Sequence, residues 1–324
     1  MAAKQHDWER RIGGRLKLRD LHILSKTVEW GSMAKAASNL GMSQPAVSEA
    51  IASLEAALGV QLLDRTRRGI EPTIYAAALL KHEHIVFDEL RQSIKEIEHL
   101  ADPSRGEVRI AAPEILVAGF IPDVVHRLSR RYPGIQVQVI PTDTSTLEFQ
   151  ELRERKVDFL IARVPETAVD DDISIDVFLD DPHFVVAASH SPWARHRKLS
   201  LADLKDEPWV IPRGRVVRSI IASAFAAHGL PMPREQVTSG TVHMQQHLLA
   251  TGRFVTIIAN SFLRYNAQRW SLAALPIDLR SESQPHAIIT LKDRTVSPVA
   301  QLFIGELKLV SNSVLKSSRK SSRL

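Results

Sequence analysis

The 324-residue sequence contains no cysteine. Disulfide bonds and cysteine-ligated zinc sites are therefore excluded, and a reducing compartment is expected. No uncharged apolar run approaches the roughly 18 residues that a membrane-spanning helix needs. The N-terminal stretch MAAKQHDWERRIGGRLKLRD is charged throughout and lacks the apolar segment of a signal peptide. We expect a cytoplasmic protein that has no membrane partner.

The sequence also lacks the motifs that mark common catalytic and nucleotide-binding sites. There is no GxSxG, HExxH or GxxxxGK[ST], and no GxGxxG follows a predicted strand. The aspartates at 170–172 and 180–181 fall in predicted loops and form no credible acid–base pair. We therefore expect neither enzymatic activity nor a cofactor.

What the chain does contain is typical of a globular protein with two or three domains, with 44% hydrophobic and 24% charged residues. Its net charge of +5 is unevenly distributed. Residues 307–324 hold five basic and no acidic residues, and residues 1–70 hold 11 basic and 7 acidic ones. The remainder carries an excess of four negative charges. A polyanionic partner should therefore meet the N-terminal part.

The N-terminal part shows a closely spaced set of helix signals. Apolar residues at helical spacing predict a first helix over residues 18–30. Ser32 is a suitable N-cap for a second helix, which Gly41 ends. Ser43 caps a third helix, whose first turn holds Pro45. Two short helices joined by a tight turn have the geometry of a helix-turn-helix, whose second helix enters the major groove of DNA.

The following segment extends this prediction. Two very short strands flank an Arg-rich turn ending in Gly69, and Arg65, Arg67 and Arg68 would form a wing beside the DNA. The alternatives are an ordinary helical corner and a solvated basic turn. A long helix is predicted over residues 76–101, with an apolar residue every three or four positions except at Glu83, and we expect it to act as a dimerisation element.

From residue 107 onward, β-branched runs alternate with helical patterns. This rhythm predicts parallel βαβ units arranged in two α/β lobes. A tail rich in Ser, Lys and Arg follows, which we expect to be disordered. We expect the following divisions: 1–74 for DNA binding, 75–101 for the linker helix, 102–106 for a hinge, 107–311 for two lobes (107–166 plus 272–311, and 167–271), and 312–324 for the tail.

Residues 17–73 resemble the winged helix-turn-helix of LysR-type transcriptional regulators. The segments GSMAKAASNLGMSQPAVS, LEAALGVQLLDR and PT stand at that family's positions and spacings, and a weaker likeness continues to about residue 311. The resemblance implies a fold of the α+β multidomain class: a winged helix-turn-helix, a long dimerisation helix, and a two-lobed effector domain like a periplasmic binding protein. It also implies a homotetramer that bends DNA.

The family's DNA-contacting positions carry over to one stretch of this sequence. They fall on Ser32, Lys35, Gln44, Pro45, Ala46, Ser48, Glu49 and Arg65. Ser43, Arg67 and Arg68 join them as candidates from the helix start and the wing. Glu49 departs from the family pattern, in which a basic or polar residue is usual. A carboxylate repels phosphates but accepts a hydrogen bond from a cytosine amino group, so we expect Glu49 to reshape operator preference.

The effector positions of the family fall after the predicted strands of the two lobes. They are Pro113, Glu114, Ile115, Thr142, Asp143, Arg163, Pro212, Arg213, Thr241, Val242 and His243. Arg163 and Arg213, with Arg215 and Arg218 nearby, suggest an anionic effector such as a carboxylate, although surface arginines explain the same pattern. His243 and His247 lie at i, i+4, but without an evident third ligand we expect no metal.

Together these observations predict a transcriptional regulator that binds operator DNA, responds to a small-molecule effector and assembles with itself. RNA polymerase is a further candidate partner. The alternative from another class is a cytoplasmic solute-binding protein or an enzyme on the same lobes. A regulator that needs no ligand is a third reading.

Overall fold

The computed structural model describes residues 16–66, 69–144, 148–163, 170–279 and 285–321. It divides into two compact units, Met1–Arg91 and Gln92–Leu324. No helix among the described residues is both long and apolar enough to cross a membrane.

The first unit contains three short helices, a β-hairpin and the beginning of a long helix. These elements are α1 (Leu18–Trp30), α2 (Met33–Leu40), α3 (Gln44–Leu58), β1 (Leu63–Thr66), β2 (Gly69–Pro72) and α4 (Ile74–Ala101). Strands β1 and β2 pair in antiparallel fashion. The predicted helix-turn-helix and hairpin are therefore present.

The caps predicted from the sequence start and stop these helices. The Ser32 hydroxyl accepts a hydrogen bond from the Lys35 amide at 3.5 Å, and the Ser43 hydroxyl accepts one from the Ala46 amide at 3.4 Å. Gly41 ends α2 in the left-handed conformation, with φ of 64°. These residues fix the tight turn between α2 and α3.

Small side chains allow the helices of the first unit to cross closely. Ala36 and Ala37 of α2 are buried together with Leu24 of α1 and with Val47 and Leu54 of α3. Burying each large aliphatic side chain contributes about 1.5–3 kcal/mol. Packing therefore holds α3 with its opposite face turned to solvent.

Helix α4 spans the division between the two units and is about 42 Å long at 1.5 Å per residue. Part of its predicted apolar seam is used inside the first unit, where the ring of Phe87 lies 5.5 Å from that of His22. Its second half exposes Leu90, Ile94 and Ile97. An exposed apolar stripe of this kind is typical of a surface that a partner covers.

The second unit contains two lobes. The first lobe is built on a five-stranded sheet in the order β4-β3-β5-β12-β6. Its strands are β3 (Arg105–Ala112), β4 (Gly134–Pro141), β5 (Phe159–Arg163), β6 (Ile173–Leu179) and β12 (His286–Leu291). Its helices are α5 (Glu114–Val117), α6 (Ile121–Arg131), α7 (Gln150–Arg153) and α11 (Pro298–Ser321). Strand β3 runs parallel to β4 and β5, whereas β12 is antiparallel to β5 and β6.

The second lobe combines an antiparallel sheet, β10-β7-β11, with a parallel pair, β8-β9. Its strands are β7 (His183–Ala188), β8 (Trp209–Pro212), β9 (Glu235–Ser239), β10 (Thr256–Ala259) and β11 (Leu272–Ala274). Its helices are α8 (Arg215–Ala227), α9 (Val242–Ala250) and α10 (Asn260–Asn266). A parallel bridge between Trp209 and Val255 joins the two sets of strands.

The sheets divide the lobes differently from the sequence-based limits of 107–166 plus 272–311, and 167–271. Strand β6, expected in the second lobe, pairs with β12 of the first, and β11, expected in the first lobe, pairs with β7 of the second. Both strands join an antiparallel edge, which the expected parallel βαβ units do not contain. The hinge expected at 102–106 is also shorter, because β3 begins at Arg105.

The tail expected to be disordered from residue 312 continues α11 as far as Ser321. The preceding turns bury Phe303, Leu307 and Val310 against the first sheet. Extending an existing helix costs far less than nucleating one, so the polar segment prolongs it. Residues 322–324 lie outside the described residues.

Candidate DNA-binding surface and effector cleft

The start of α3 presents the predicted recognition residues. Gln44, Pro45 and Glu49 are exposed, while Ala46 and Ser48 are partly buried. Val47, between them, is fully buried and anchors the helix from its other side. The polar face of α3 therefore does not pack into the core of its own unit and is open to solvent.

The two capping serines at this surface can each accept one hydrogen bond and donate another. Each hydroxyl oxygen of Ser32 and Ser43 accepts a backbone N–H, so its own O–H can still donate to a phosphate. Lys35, in the first turn of α2, is exposed. Arg65 lies in β1, and Arg67 and Arg68 fall outside the described residues.

The second unit contains a cavity of about 550 Å³. It lies where strands β3, β4 and β5 of the first lobe and β8 and β9 of the second end, so segments from both lobes line it. In α/β folds, ligands bind at the carboxyl ends of parallel strands. Ten of the eleven predicted effector residues line this cavity: Pro113, Glu114, Ile115, Thr142, Asp143, Arg163, Pro212, Arg213, Thr241 and Val242.

His243 is the predicted effector residue that does not line the cavity. It is exposed on α9, where its Nε2 lies 3.1 Å from Nε2 of His247, and both rings stack edge-on against Trp270. The helix turns about 100° per residue, so when Val242 and Gln245 face the cavity, His243 faces away from it.

A buried polar network forms the floor of the cavity, and the sequence reasoning missed most of it. The Asp181 carboxylate accepts hydrogen bonds from the Ser261 amide and hydroxyl, both at 2.7 Å, and from Nη2 of Arg163 at 3.1 Å. Nε2 of His286 lies 3.3 Å from Oδ2 of Asp181. Asp181 stands where the chain passes from β6 of the first lobe to β7 of the second, so this network joins the lobes.

The network fixes the charges of its members. Burial alone would raise the pKa of Asp181, but the ring of His286, the Arg163 guanidinium and the Ser261 amide outweigh it and hold the pKa at about 2. Burial, with help from Arg163, lowers the pKa of His286 to about 4. The same two causes lower the pKa of His183 to about 3. At neutral pH the floor therefore has a charged Asp181–Arg163 pair and neutral histidines.

This arrangement differs from a catalytic triad despite its composition of Ser, His and Asp. In a triad the imidazole stands between hydroxyl and carboxylate and takes the hydroxyl proton. Here the Ser261 hydroxyl donates to Asp181. A carboxylate with a pKa of about 2 is a weak base, so the cluster does not activate this hydroxyl. Its geometry connects the two lobes.

Two of the four arginines that suggested an anionic effector are paired within the protein. Arg163 is bound to Asp181, and Arg218 of α8 pairs with Glu235 at 2.5 Å. Arg213 is exposed at the cavity. On the acidic side, Glu114 and Asp143 also line the cavity. The formal charges of these lining side chains therefore cancel.

A helix-turn-helix with a wing in one unit, and a cleft between two α/β lobes in the other, define a ligand-responsive DNA-binding protein. Residues 18–77 match the family model described as the bacterial regulatory helix-turn-helix protein of the lysR family. Residues 101–310 match the LysR substrate binding domain. The chain belongs to the LysR family of transcriptional regulators.

Individual relatives agree with this assignment. The HTH-type transcriptional regulator GbpR of Azospirillum brasilense is 29% identical over 310 residues, which cover 94% of this chain and 90% of the relative. A full-length OxyR variant from Pseudomonas aeruginosa has a TM-score of 0.62 at 17% identity, covering 91% of this chain and 95% of its own. Full-length CbnR in complex with its target DNA has a TM-score of 0.52 at 21% identity, covering 91% and 100%. At these identities the two structures show the shared fold alone.

Proposed function

We propose that this regulator reads its operator through the start of α3 and takes its effector in the cleft between the two lobes. The observation that carries the proposal is the convergence of ten predicted effector residues, from both lobes, on one cavity. Its size lies within the range of about 300–1,000 Å³ typical of small-molecule sites. Ligand binding would change the orientation of the two lobes relative to each other. It would thereby shift the population of the conformations that bind DNA.

On the DNA side, Gln44, Ser48 and Glu49 would meet base edges, while Ser32, Lys35 and Ser43 would meet phosphates. The wing would add Arg65, Arg67 and Arg68 beside the duplex. The exposed carboxylate of Glu49 would favour a base that offers a hydrogen-bond donor. Glu49→Lys should therefore change which operators are recovered from a random library, and unchanged recovery would argue against a base-reading role.

The phosphate contacts can be tested through salt dependence. We expect operator affinity, measured by fluorescence anisotropy on the DNA upstream of the gene, to fall steeply as salt rises. Lys35→Gln should reduce the slope of log affinity against log salt by about one. Lys292→Gln, which removes an exposed lysine of the second unit, is the matched control and should leave the slope unchanged. Equal slopes for all three proteins would contradict the placement of Lys35.

The effector cleft can be tested by filling it. Gly240 lines the cavity, a Cβ added there meets open space, and its backbone is outside the left-handed region. Gly240→Trp should therefore fold and abolish stabilisation by any compound that raises the Tm of the wild type. Gly305→Trp, on the exposed face of α11 with equally open surroundings, is the control. A ligand that stabilises Gly240→Trp as much as the wild type binds elsewhere.

The exposed apolar face of α4 supports a homodimer, and we infer that two dimers assemble into a homotetramer. Ile94 and Ile97 are 55% and 66% exposed, so pairing of two α4 helices would remove them from water. Ile94→Glu should shift the sedimentation coefficient toward the monomer, whereas Lys81→Glu, on the same helix, should not. An unchanged oligomer in Ile94→Glu would rule out this seam.

We further propose that the protein acts in the cytoplasm, with RNA polymerase as a partner at the promoter, and that it has no enzymatic activity. The order of Ser261, Asp181 and His286 supports the last point, because the hydroxyl faces a weak base. Turnover of a compound that also stabilises the cleft would contradict it.

A further inference from the structure

Glu114 accepts a hydrogen bond that links the two lobes at the cavity. It is the first residue of α5 in the first lobe, and its Oε1 accepts the backbone N–H of Val242, the first residue of α9 in the second lobe, at 3.0 Å. Its side chain lines the cavity and is partly buried. The protein thus places a carboxylate of its own against the N-terminus of α9.

The N-terminus of a helix is the place where a ligand's anionic group would be expected. Here three of its amides already have acceptors within the protein. Besides the Val242 amide on Glu114, the Met244 amide donates to the Thr241 hydroxyl at 3.3 Å and the Gln245 amide to the Thr241 carbonyl at 3.3 Å. A ligand carboxylate at this point would have to replace the Glu114 carboxylate as the acceptor of the Val242 amide. The two negative charges would then lie close together and repel each other.

The cations of the cleft do not offset this repulsion. Arg163 is held by Asp181 through hydrogen bonds to both its carbonyl and its carboxylate, each 3.1 Å long. Arg213 remains exposed at the cavity, whose lining also holds two carboxylates, Glu114 and Asp143. A negatively charged ligand therefore finds a lining with no surplus of positive charge.

Beside the charged Asp181–Arg163 pair, the floor of the cavity offers an uncharged group, the imidazole of His286. His286 is 1% exposed and lines the cavity. Its Nε2 faces Oδ2 of Asp181 at 3.3 Å, whereas its Nδ1 has no hydrogen-bond partner among the described residues. A neutral imidazole donates from one nitrogen and accepts at the other. With the Nε2–H directed at the Asp181 carboxylate, Nδ1 is left as an acceptor, and a ligand hydroxyl can donate to it. A buried acceptor nitrogen without a donor of its own therefore points to a ligand that carries hydroxyl groups.

We propose that the cleft takes a neutral, polyhydroxylated ligand whose hydroxyl groups donate to Glu114, and that Glu114 is the residue that excludes carboxylates. This inference rests on the proposal that the cleft is the effector site. It differs from the sequence-based suggestion of an anionic effector, because that suggestion counted arginines without their partners.

The test compares compounds that share a carbon skeleton and differ in one terminal group. Xylitol and sorbitol are the neutral probes, and xylonate and gluconate are the corresponding carboxylates. Calorimetry on the full-length protein without DNA should give at least tenfold tighter binding of the alditol of each pair. Like charges brought together at a binding site cost several kcal/mol, so tenfold is a lower limit.

Glu114→Gln keeps the shape and the acceptor oxygen but removes the charge, and it should bring aldonate affinity level with alditol affinity or above it. Glu114→Ala, measured in parallel, should relieve the same repulsion if the glutamine variant does not fold. Glu207→Gln, whose side chain does not line the cavity, should retain the wild-type preference. Preference of the wild type for aldonates, an unchanged preference in both Glu114 variants, or binding of no probe would each overturn the inference.

The cleft-filling variant separates this failure from failure of the proposed function. If Gly240→Trp abolishes the binding of a probe but Glu114→Gln leaves its preference unchanged, the cleft is the effector site and only the role of Glu114 falls. If Gly240→Trp binds the probes normally, the cleft is not the effector site and the inference falls with it.

Discussion

Replacing Asp181 by asparagine should destabilise the two-lobed unit by about 3 kcal/mol. The carboxylate is 1% exposed and accepts hydrogen bonds from Arg163 and from both the amide and the hydroxyl of Ser261. Its pKa of about 2, against an ordinary 3.8, corresponds to roughly 2.5 kcal/mol of stabilisation at pH 7. A second estimate of the destabilisation comes from the charge left unpaired on Arg163, since breaking a buried ion pair costs about 3–5 kcal/mol.

The two figures describe overlapping interactions, so they are not added. For a unit of this size, about 3 kcal/mol lowers the Tm by roughly 6–12 °C. Differential scanning calorimetry of the full-length chain at pH 7 measures the shift. Asp206→Asn, at a carboxylate whose side chain is 88% exposed, is the matched control and should leave the Tm unchanged.

A loss below about 1 kcal/mol in Asp181→Asn would refute the reasoning. It would mean that asparagine satisfies Ser261 as well as aspartate does and that Arg163 finds another counter-charge. An acid titration of the wild type adds a second check. The Asp181 contribution is present above pH 3.8 and should be lost as the pH falls through about 2.

The wild type should lose about 2 kcal/mol of stability through His286 between pH 7 and pH 5, because the ring takes up a proton when unfolded, near pH 6.5, but only near pH 4 when folded. His286→Asn lacks this titrating ring, so the difference in unfolding free energy between it and the wild type, measured by urea titration, should change by that amount from pH 7 to pH 5. The same difference at both pH values would contradict the lowered pKa of His286. Ser43→Ala should cost about 1 kcal/mol in the first unit through loss of the N-cap and weaken operator binding. Ser43→Asn, which can also cap, should restore most of the stability in thermal melts, and equal stability of the alanine and asparagine variants would exclude the cap.

The first unit could be predicted almost entirely from the sequence because its signals are local. Ser32, Gly41 and Ser43 each act on amides or carbonyls within a few residues along the chain. The burial of Val47 and Leu54 follows from helical periodicity. Local cap chemistry and periodicity were therefore sufficient to give α2 and α3 their limits.

The lobes were less predictable because their pairing is non-local. The residues that form β6 give no local signal that this strand pairs with β12, which lies more than 100 residues later in the chain. The cavity floor has the same origin, since Asp181, Ser261 and His286 come from three distant segments. The ligand positions at strand ends were accessible through the family resemblance, which carries topology that a single sequence does not.

The ligand chemistry shows most clearly what a sequence leaves open. An arginine near a strand end indicates an anionic ligand only if its counter-charge lies outside the protein. Arg163 has that counter-charge within it, on Asp181, and the α9 N-terminus has an internal carboxylate in Glu114. These two features are thus already satisfied before any ligand binds, and the exposed Arg213 shares the cavity lining with the carboxylates of Glu114 and Asp143. The cleft also offers acceptor oxygens and the unpartnered Nδ1 of a neutral imidazole, and those groups are complementary to hydroxyls.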